Sequence, residues 1–256
     1  MRKVYICSDT EEGIYSAIYD AWKTRLGEAS LGIALRGTVE QAFFCEYLEV
    51  EESGKKMLAV QNLIRRHLGE YAYWNIYHAM LSHDIEKGNA ILGTMLASRT
   101  IPDSRKIMEH LTNAKVQKVF QLGRKVANEA HYYKEFVRFE ELQDGILFSE
   151  IEPRNRILTC IAEHFSNRFP LENWVIYDKT HKEALVHEKG RKWILAKDVR
   201  DLMRGRAETT DAELLYVNLW KTFFRSISIS ERENYERQRQ NLPLLFRGHM
   251  TEFKGN

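Results

Sequence analysis

The chain has 256 residues and a formal net charge of +2, and hydrophobic residues make up 44% of it. This apolar content is sufficient for a core and excludes a wholly disordered chain. No apolar run approaches the roughly 20 residues of a membrane helix, and the amino terminus reaches Asp9 too soon for a signal peptide. We therefore expect a soluble, cytoplasmic protein.

The first half of the chain is predicted to be mainly helical. Val4–Cys7 predicts a short buried strand, and Asp9 has the position of a cap for the acidic helix that follows. Residues 40–52 predict a second strand. Residues 55–134 carry apolar side chains at helical spacing almost throughout.

The second half is predicted to contain a sheet. Near residue 134 the spacing of the apolar residues changes from helical to alternating. Asp144-Gly145 then predicts a hairpin turn before a strand at Ile146–Ile151. Pro153 is predicted to open a helix that buries Phe165. Three further short strands are predicted at Trp174–Asp178, Ala184–Val186 and Lys192–Leu195. The tail returns to helical spacing and ends at Pro243.

These elements predict an α+β fold with a helix-rich N-terminal half, a central small antiparallel sheet with a covering helix, and a helical C-terminal tail. We expect residues 1–256 to form a single domain. A weak subdivision separates a helical part with the N-terminal strand, 1–133, from the sheet and the C-terminal helices, 134–256.

The sequence offers few signs of cofactor chemistry. Cys7, Cys45 and Cys160 are widely spaced, which favours free thiols over a disulfide framework or a cluster. There is no Gly-rich dinucleotide fingerprint, phosphate-binding loop, CxxC pair or HExxH helix. His78 and His83 are five residues apart and would lie on different faces of a helix. We expect no metal and no cofactor in this chain.

The charge is distributed unevenly along the chain. Residues 1–52 hold ten acidic and five basic residues, whereas residues 105–138 hold eight basic and three acidic ones. Arg124, Asn128 and His131 follow one helix edge, and His164 and Arg168 follow another. Such a surface suits phosphates and unstacked bases, although solvated charges on amphipathic helices explain the same pattern.

The candidate nucleic-acid-binding residues combine these cations with polar residues of the tail. They are Lys118, Arg124, Lys125, Lys134, Arg138, Arg168, Arg232, Asn234 and Gln238. In the tail, Asn234 and Gln238 lie one helical turn apart and add no charge pairing, so they could read a base edge.

Four ordered runs resemble a bacterial family of unknown molecular function. They are Cys7–Ile14, His131–Phe139, His164–Asp178 and Glu231–Pro243. Members of that family are described as DNA-metabolism or DNA-repair proteins. They are encoded beside a radical S-adenosylmethionine (radical SAM) protein or fused to a uracil-DNA-glycosylase-like domain. The resemblance implies DNA and these proteins as partners. Tyr132 departs from the pattern, where a basic residue is expected, and the absence of a following glycosylase-like domain leads us to expect the stand-alone form.

Three functions remain open. The first is a nucleic-acid-handling accessory to a radical SAM partner. The second is a nucleic-acid or nucleotide-processing enzyme that uses His131, His164 and Asp178 as acid–base groups. The third is a protein-binding scaffold whose acidic N-terminal half docks a basic partner.

The four runs also lead to a geometric expectation. Buried polar groups need partners, so we expect the polar residues of these runs to surround a single cleft. The expected members are His131, Arg138, His164, Arg168 and Arg232, with Asp178 or Glu231 balancing their charge.

Overall fold

The computed structural model describes residues 1–39, 42–143 and 145–197, together with Thr210, Leu219 and Met250. The chain divides into two compact units, Met1–Asn128 and Glu129–Asn256. Within the described residues, each unit contains one sheet. The expected helical tail lies outside the described residues, as do Arg232, Asn234 and Gln238.

The first unit is built on a three-stranded parallel sheet. Strands β1 (Arg2–Cys7), β2 (Leu31–Leu35) and β3 (Cys45–Glu49) lie in the order β2-β1-β3. Helix α1 (Glu11–Lys23) connects β1 to β2. The sequence predicts β1 and a strand near β3 but misses β2, because a five-residue apolar run that includes Gly32 has no readable period.

Helices α2 (Gly54–Met80) and α3 (Lys87–Ala97) complete the core of this unit with the first part of α4 (Ala114–Phe136). This confirms the mainly helical character expected for residues 55–134. Gly69 interrupts α2 with a φ of +86°, in the left-handed region that glycine adopts at little cost. The described helices include none long and apolar enough to cross a membrane.

A polar network fixes the loop after β1. Thr10, rather than Asp9, caps α1, since its side chain accepts a hydrogen bond from the Gly13 amide at 3.0 Å. Asp9 instead pairs with Lys87, whose side chain is only 2% exposed. Lys87 also donates to the Ser82 carbonyl at 2.6 Å. The buried ammonium therefore ties the start of α3 to the loop after β1.

The second unit contains a mixed five-stranded sheet in the order β4-β5-β6-β7-β8. The strands are β4 (Glu140–Glu141), β5 (Leu147–Ile151), β6 (Trp174–Asp178), β7 (Glu183–His187) and β8 (Ile194–Lys197). The expectation of a purely antiparallel sheet is wrong at one pair. Strands β5 and β6 are parallel because α5 (Leu158–Arg168) connects them as a crossover.

Two boundaries also differ from the sequence prediction. Helix α4 ends at Phe136. The first residues after 134, where the apolar spacing changes, therefore belong to its last turn. Helix α5 begins at Leu158, so Pro153 lies in the loop before it. Phe165 is buried as expected, and Phe139 meets it edge-on with ring centroids 5.5 Å apart.

We predict that Gly13→Ala destabilises the protein by about 1–3 kcal/mol, the usual effect of overpacking. A Cβ at residue 13 would lie 2.6 Å from Ser8 Oγ and 2.7 Å from the Ser8 carbonyl oxygen. Gly27→Ala is the matched control, because a Cβ there meets nothing within 4 Å. Urea unfolding of both variants measures the difference, and equal midpoints would contradict the close approach.

Candidate nucleic-acid interface

Helix α4 presents cations on the side opposite its buried stripe. Val119, Leu122 and Val126 are buried, whereas Arg124 and Lys125 are exposed. This alternation follows from the helical spacing of the apolar residues. Of the candidate residues on this helix, Lys118 is already engaged, since its ammonium pairs with Asp84 at 2.6 Å. A phosphate at Lys118 would have to compete with that carboxylate.

Glu129 attaches the C-terminal half of α4 to the loop that precedes α5. Its carboxylate accepts hydrogen bonds from the backbone amides of Arg154 at 2.8 Å and Asn155 at 3.0 Å, and from the Asn155 side chain. The Asn155 side chain is buried. Charge-assisted bonds of this kind are short and directional, so they hold the two helices of the second unit in a defined arrangement.

Lys134 on α4 and His164 and Arg168 on α5 form the cationic cluster. The pKa of His164 is lowered from its usual value first by burial and then by the positive charges of Lys134 and Arg168. Its Nε2 is buried and has no hydrogen-bond partner among the described residues. His164 is therefore neutral at pH 7, and the charge of the cluster comes from the lysine and the arginine.

Cys160 borders the cationic cluster on α5. Burial raises the pKa of its thiol to about 11, and the charge of Lys134 opposes this rise. The thiol is therefore protonated at neutral pH and is a poor nucleophile. The residue contributes packing beside the cations.

Two other candidates lie at the end of α4 and have local partners. His131 is exposed, and its Nε2 lies 3.2 Å from Glu135. Arg138 donates to the carbonyls of Glu135 at 2.8 Å and Val137 at 3.2 Å. Arg138 thus satisfies carbonyl groups that a helix terminus leaves unpaired.

Asp178 is fully buried at the carboxyl end of β6, and its partner is a histidine that the sequence analysis missed. One carboxylate oxygen lies 2.6 Å from Nδ1 of His181, and the other accepts the His181 amide at 3.0 Å. The spacing Asp-x-x-His after a strand, within a turn, was the available signal. This signal is weak because aspartate is common in turns of every kind.

The described members of the expected cleft have different surroundings. His164 and Arg168 lie one turn apart on α5, and the positive charges of Arg168 and of Lys134 act on the pKa of His164. Asp178 is paired with His181, and Arg138 is occupied by backbone carbonyls. Arg232 and Glu231 lie outside the described residues, so their membership stays a prediction. Within the described part of the chain, there is no group of three or more His, Cys, Asp or Glu side chains that could hold a metal ion.

Comparison with protein families places most of this region in one family. Residues 86–252 match the model of a domain of unknown function, DUF4130. The chain belongs to this family. The DUF4130 match includes the cationic cluster and Asp178, and it contains three of the four runs that carry the resemblance. It confirms the coarser part of that resemblance, a family of unknown function. A search of curated proteins found no match.

We predict that the pKa of His164 lies below the ordinary value of 6.5 and rises in the Lys134→Gln variant, because one repelling charge is lost. By linkage, the same shift makes the fold less stable as pH falls through the higher pKa of the unfolded state. NMR titration of the histidine ring protons measures the pKa. Lys55→Gln, at an exposed lysine of α2, is the control. An unchanged His164 titration in Lys134→Gln would contradict the arrangement.

Proposed function

We propose that this DUF4130 protein is a nucleic-acid-handling accessory in DNA metabolism or repair. In this proposal a radical SAM protein or a uracil-DNA-glycosylase-like protein supplies the chemical step. The four ordered runs support the link to DNA and to these partners. The cationic cluster is the observation that carries the proposal, because it gives the second unit a site suited to phosphate.

The electrostatics of the cluster favour an anionic ligand. Two cations lower the pKa of the His164 imidazole, and no carboxylate in the described part of the chain opposes them there. Arg168 is exposed, and a guanidinium can bind two phosphate oxygens at once. A DNA phosphate would supply a counter-charge for the two cations.

In the first unit, Arg124 and Lys125 offer further exposed positive charge. Contacts to phosphate are independent of base sequence, and each releases condensed counterions. Binding through these residues should therefore be weak at physiological salt and sensitive to it. Lys118 contributes less because Asp84 neutralises it. Arg232, Asn234 and Gln238 remain candidates from the sequence.

A nucleic-acid or nucleotide-processing enzyme is the second candidate, and one observation favours it. A buried carboxylate at 2.6 Å orients the imidazole of His181 through Nδ1. This is the way a catalytic histidine is held so that its Nε2 can accept a proton. An enzyme of this kind would use Asp178 with His181, whereas the sequence analysis grouped Asp178 with His131 and His164.

We predict that the double variant Lys134→Gln/Arg168→Gln weakens binding to both single- and double-stranded DNA. The slope of log affinity against log salt should fall by about 1.8 for the duplex and about 1.4 for the single strand, the values for two lost phosphate contacts. The control is Lys55→Gln/Lys192→Gln, which removes the same charge from exposed positions elsewhere. Fluorescence anisotropy with labelled oligonucleotides over a salt series measures both quantities. A flat affinity of the wild type between low and moderate salt, or no binding at low salt, would overturn the proposed function.

A further inference from the structure

Helix α2 exposes aromatic side chains after its break at Gly69. Tyr71 is 62% exposed and Trp74 is 49% exposed. His78 follows one turn later, with its ring centroid 6.2 Å from that of Trp74 and the two planes tilted by 36°. Tyr71, Trp74 and His78 form the aromatic row. Their spacing places them along one side of the helix.

The orientation of the indole at the centre of this row is fixed by its neighbours. Tyr73 meets Trp74 edge-on with centroids 5.4 Å apart, and Tyr77 meets it edge-on at 5.7 Å. The guanidinium of Arg65 lies over the Tyr73 ring, 3.9 Å from its centroid. Edge-on contacts of this kind restrain the indole of Trp74 without covering its face. The exposed half of Trp74 is therefore presented in a defined orientation.

Arginines lie close to both ends of the aromatic row. Helix α4 passes close to its far end, because a Cβ at Gly123 would lie 3.1 Å from the Asn75 carbonyl oxygen and 3.7 Å from the His78 Cβ. The residue after Gly123 is the exposed Arg124. At the near end, a Cβ at Gly69 would lie 4.0 Å from the Arg105 side chain.

Glu70 precedes Tyr71 in the chain, and its carboxylate lies 3.6 Å from Arg65. Arg105 and Arg124 are exposed cations in the segments that approach the two ends of the row. Aromatic faces bordered by cations are the combination that binds single-stranded nucleic acid without a strict sequence preference.

We infer that the aromatic row is a stacking platform for unpaired bases of single-stranded nucleic acid, with Arg124 and Arg105 contacting the flanking phosphates. This inference rests on the proposed function and names the class of nucleic acid that the first unit binds. Duplex DNA keeps its base faces stacked inside the helix, so it can offer the row only its backbone. The row precedes residues 86–252 and therefore lies outside the DUF4130 match.

Substitution of the central tryptophan tests the inference. In Trp74→Ala the affinity for a single-stranded oligothymidine should fall about 5-fold or more, as expected for the loss of one stacked base. The affinity for a duplex of the same length should stay unchanged. Trp74→Phe should retain most of the single-strand affinity because it keeps an aromatic face. Leu58→Ala is the matched control, since Leu58 is 54% exposed on α2 before the break.

The salt dependence separates the two kinds of contact. Arg124→Gln should lower the slope of log affinity against log salt by about 0.7, the value for one phosphate contact to a single strand. Trp74→Ala should leave the slope unchanged because stacking releases no counterions. Melting temperatures of all variants check folding. If Trp74→Ala does not fold, the wild type and Trp74→Phe still provide a test, since base stacking should quench tryptophan emission only where Trp74 is present.

The outcomes distinguish this inference from the proposed function. If Trp74→Ala lost the same affinity for single strand and duplex, or bound single strand as tightly as Leu58→Ala does, the stacking platform would be overturned. The proposed phosphate-binding role would be unaffected. Retained single-strand binding with loss of a protein partner would identify the row as a protein-docking surface and would also overturn the inference. If the wild type bound no nucleic acid at low salt, both the stacking platform and the proposed function would be overturned.

Discussion

The arrangement of the second unit depends on the carboxylate of Glu129. It satisfies two consecutive backbone amides of the loop before α5 and the side chain of Asn155. Removing that carboxylate would break the two hydrogen bonds that the buried Asn155 donates to it, and desolvated donors make such a loss costly. Lys134 lies on α4 and His164 lies on α5, so this attachment helps to keep the residues of the cationic cluster together.

Lys87 in the first unit and the cationic cluster in the second differ in how their positive charge is accommodated. In the first unit the buried ammonium of Lys87 is paired with Asp9 and the Ser82 carbonyl, as a desolvated charge requires. In the second unit Lys134 and Arg168 raise the positive potential at His164 while remaining partly or fully exposed. Water screens their mutual repulsion in the free protein. A buried charge needs a partner inside the protein, whereas an exposed charge can pair with a ligand.

Sequence patterns predicted the features that depend on local spacing. The apolar stripe of α4, the strand β6 and the helix α5 follow from helical or alternating periods, and the structure contains them. Strand β2 has no such period and gains its conformation from pairing with β1. The parallel pairing of β5 with β6 likewise depends on a crossover connection, which local spacing does not encode.

The site residues divide in the same way. The cations of α4 and α5 could be found because they lie beside apolar stripes in the sequence. His181 was missed, because its link to Asp178 comes from the shape of a turn, for which the Asp-x-x-His spacing is only a weak signal. Trp74 follows the buried Tyr73 in the chain, and a large aromatic side chain at such a position is usually taken for part of the core. Its exposure depends on which side of α2 faces the core. The non-helical backbone at Gly69 interrupts the regular spacing, so the buried side after Gly69 does not follow from the spacing before it.

The two surfaces differ in what they can discriminate. In the proposed function, the cationic cluster would contact the charge that every nucleic acid carries on its backbone, so it would add affinity without distinguishing single strands from duplexes. The aromatic row would instead contact the face of a base, which is available only where pairing and stacking have been lost. In the proposed function, a preference for single strands therefore has to come from Trp74 and its neighbours. An accessory protein with that preference would hold DNA in the open state that a partner acting on an extruded or unpaired base requires.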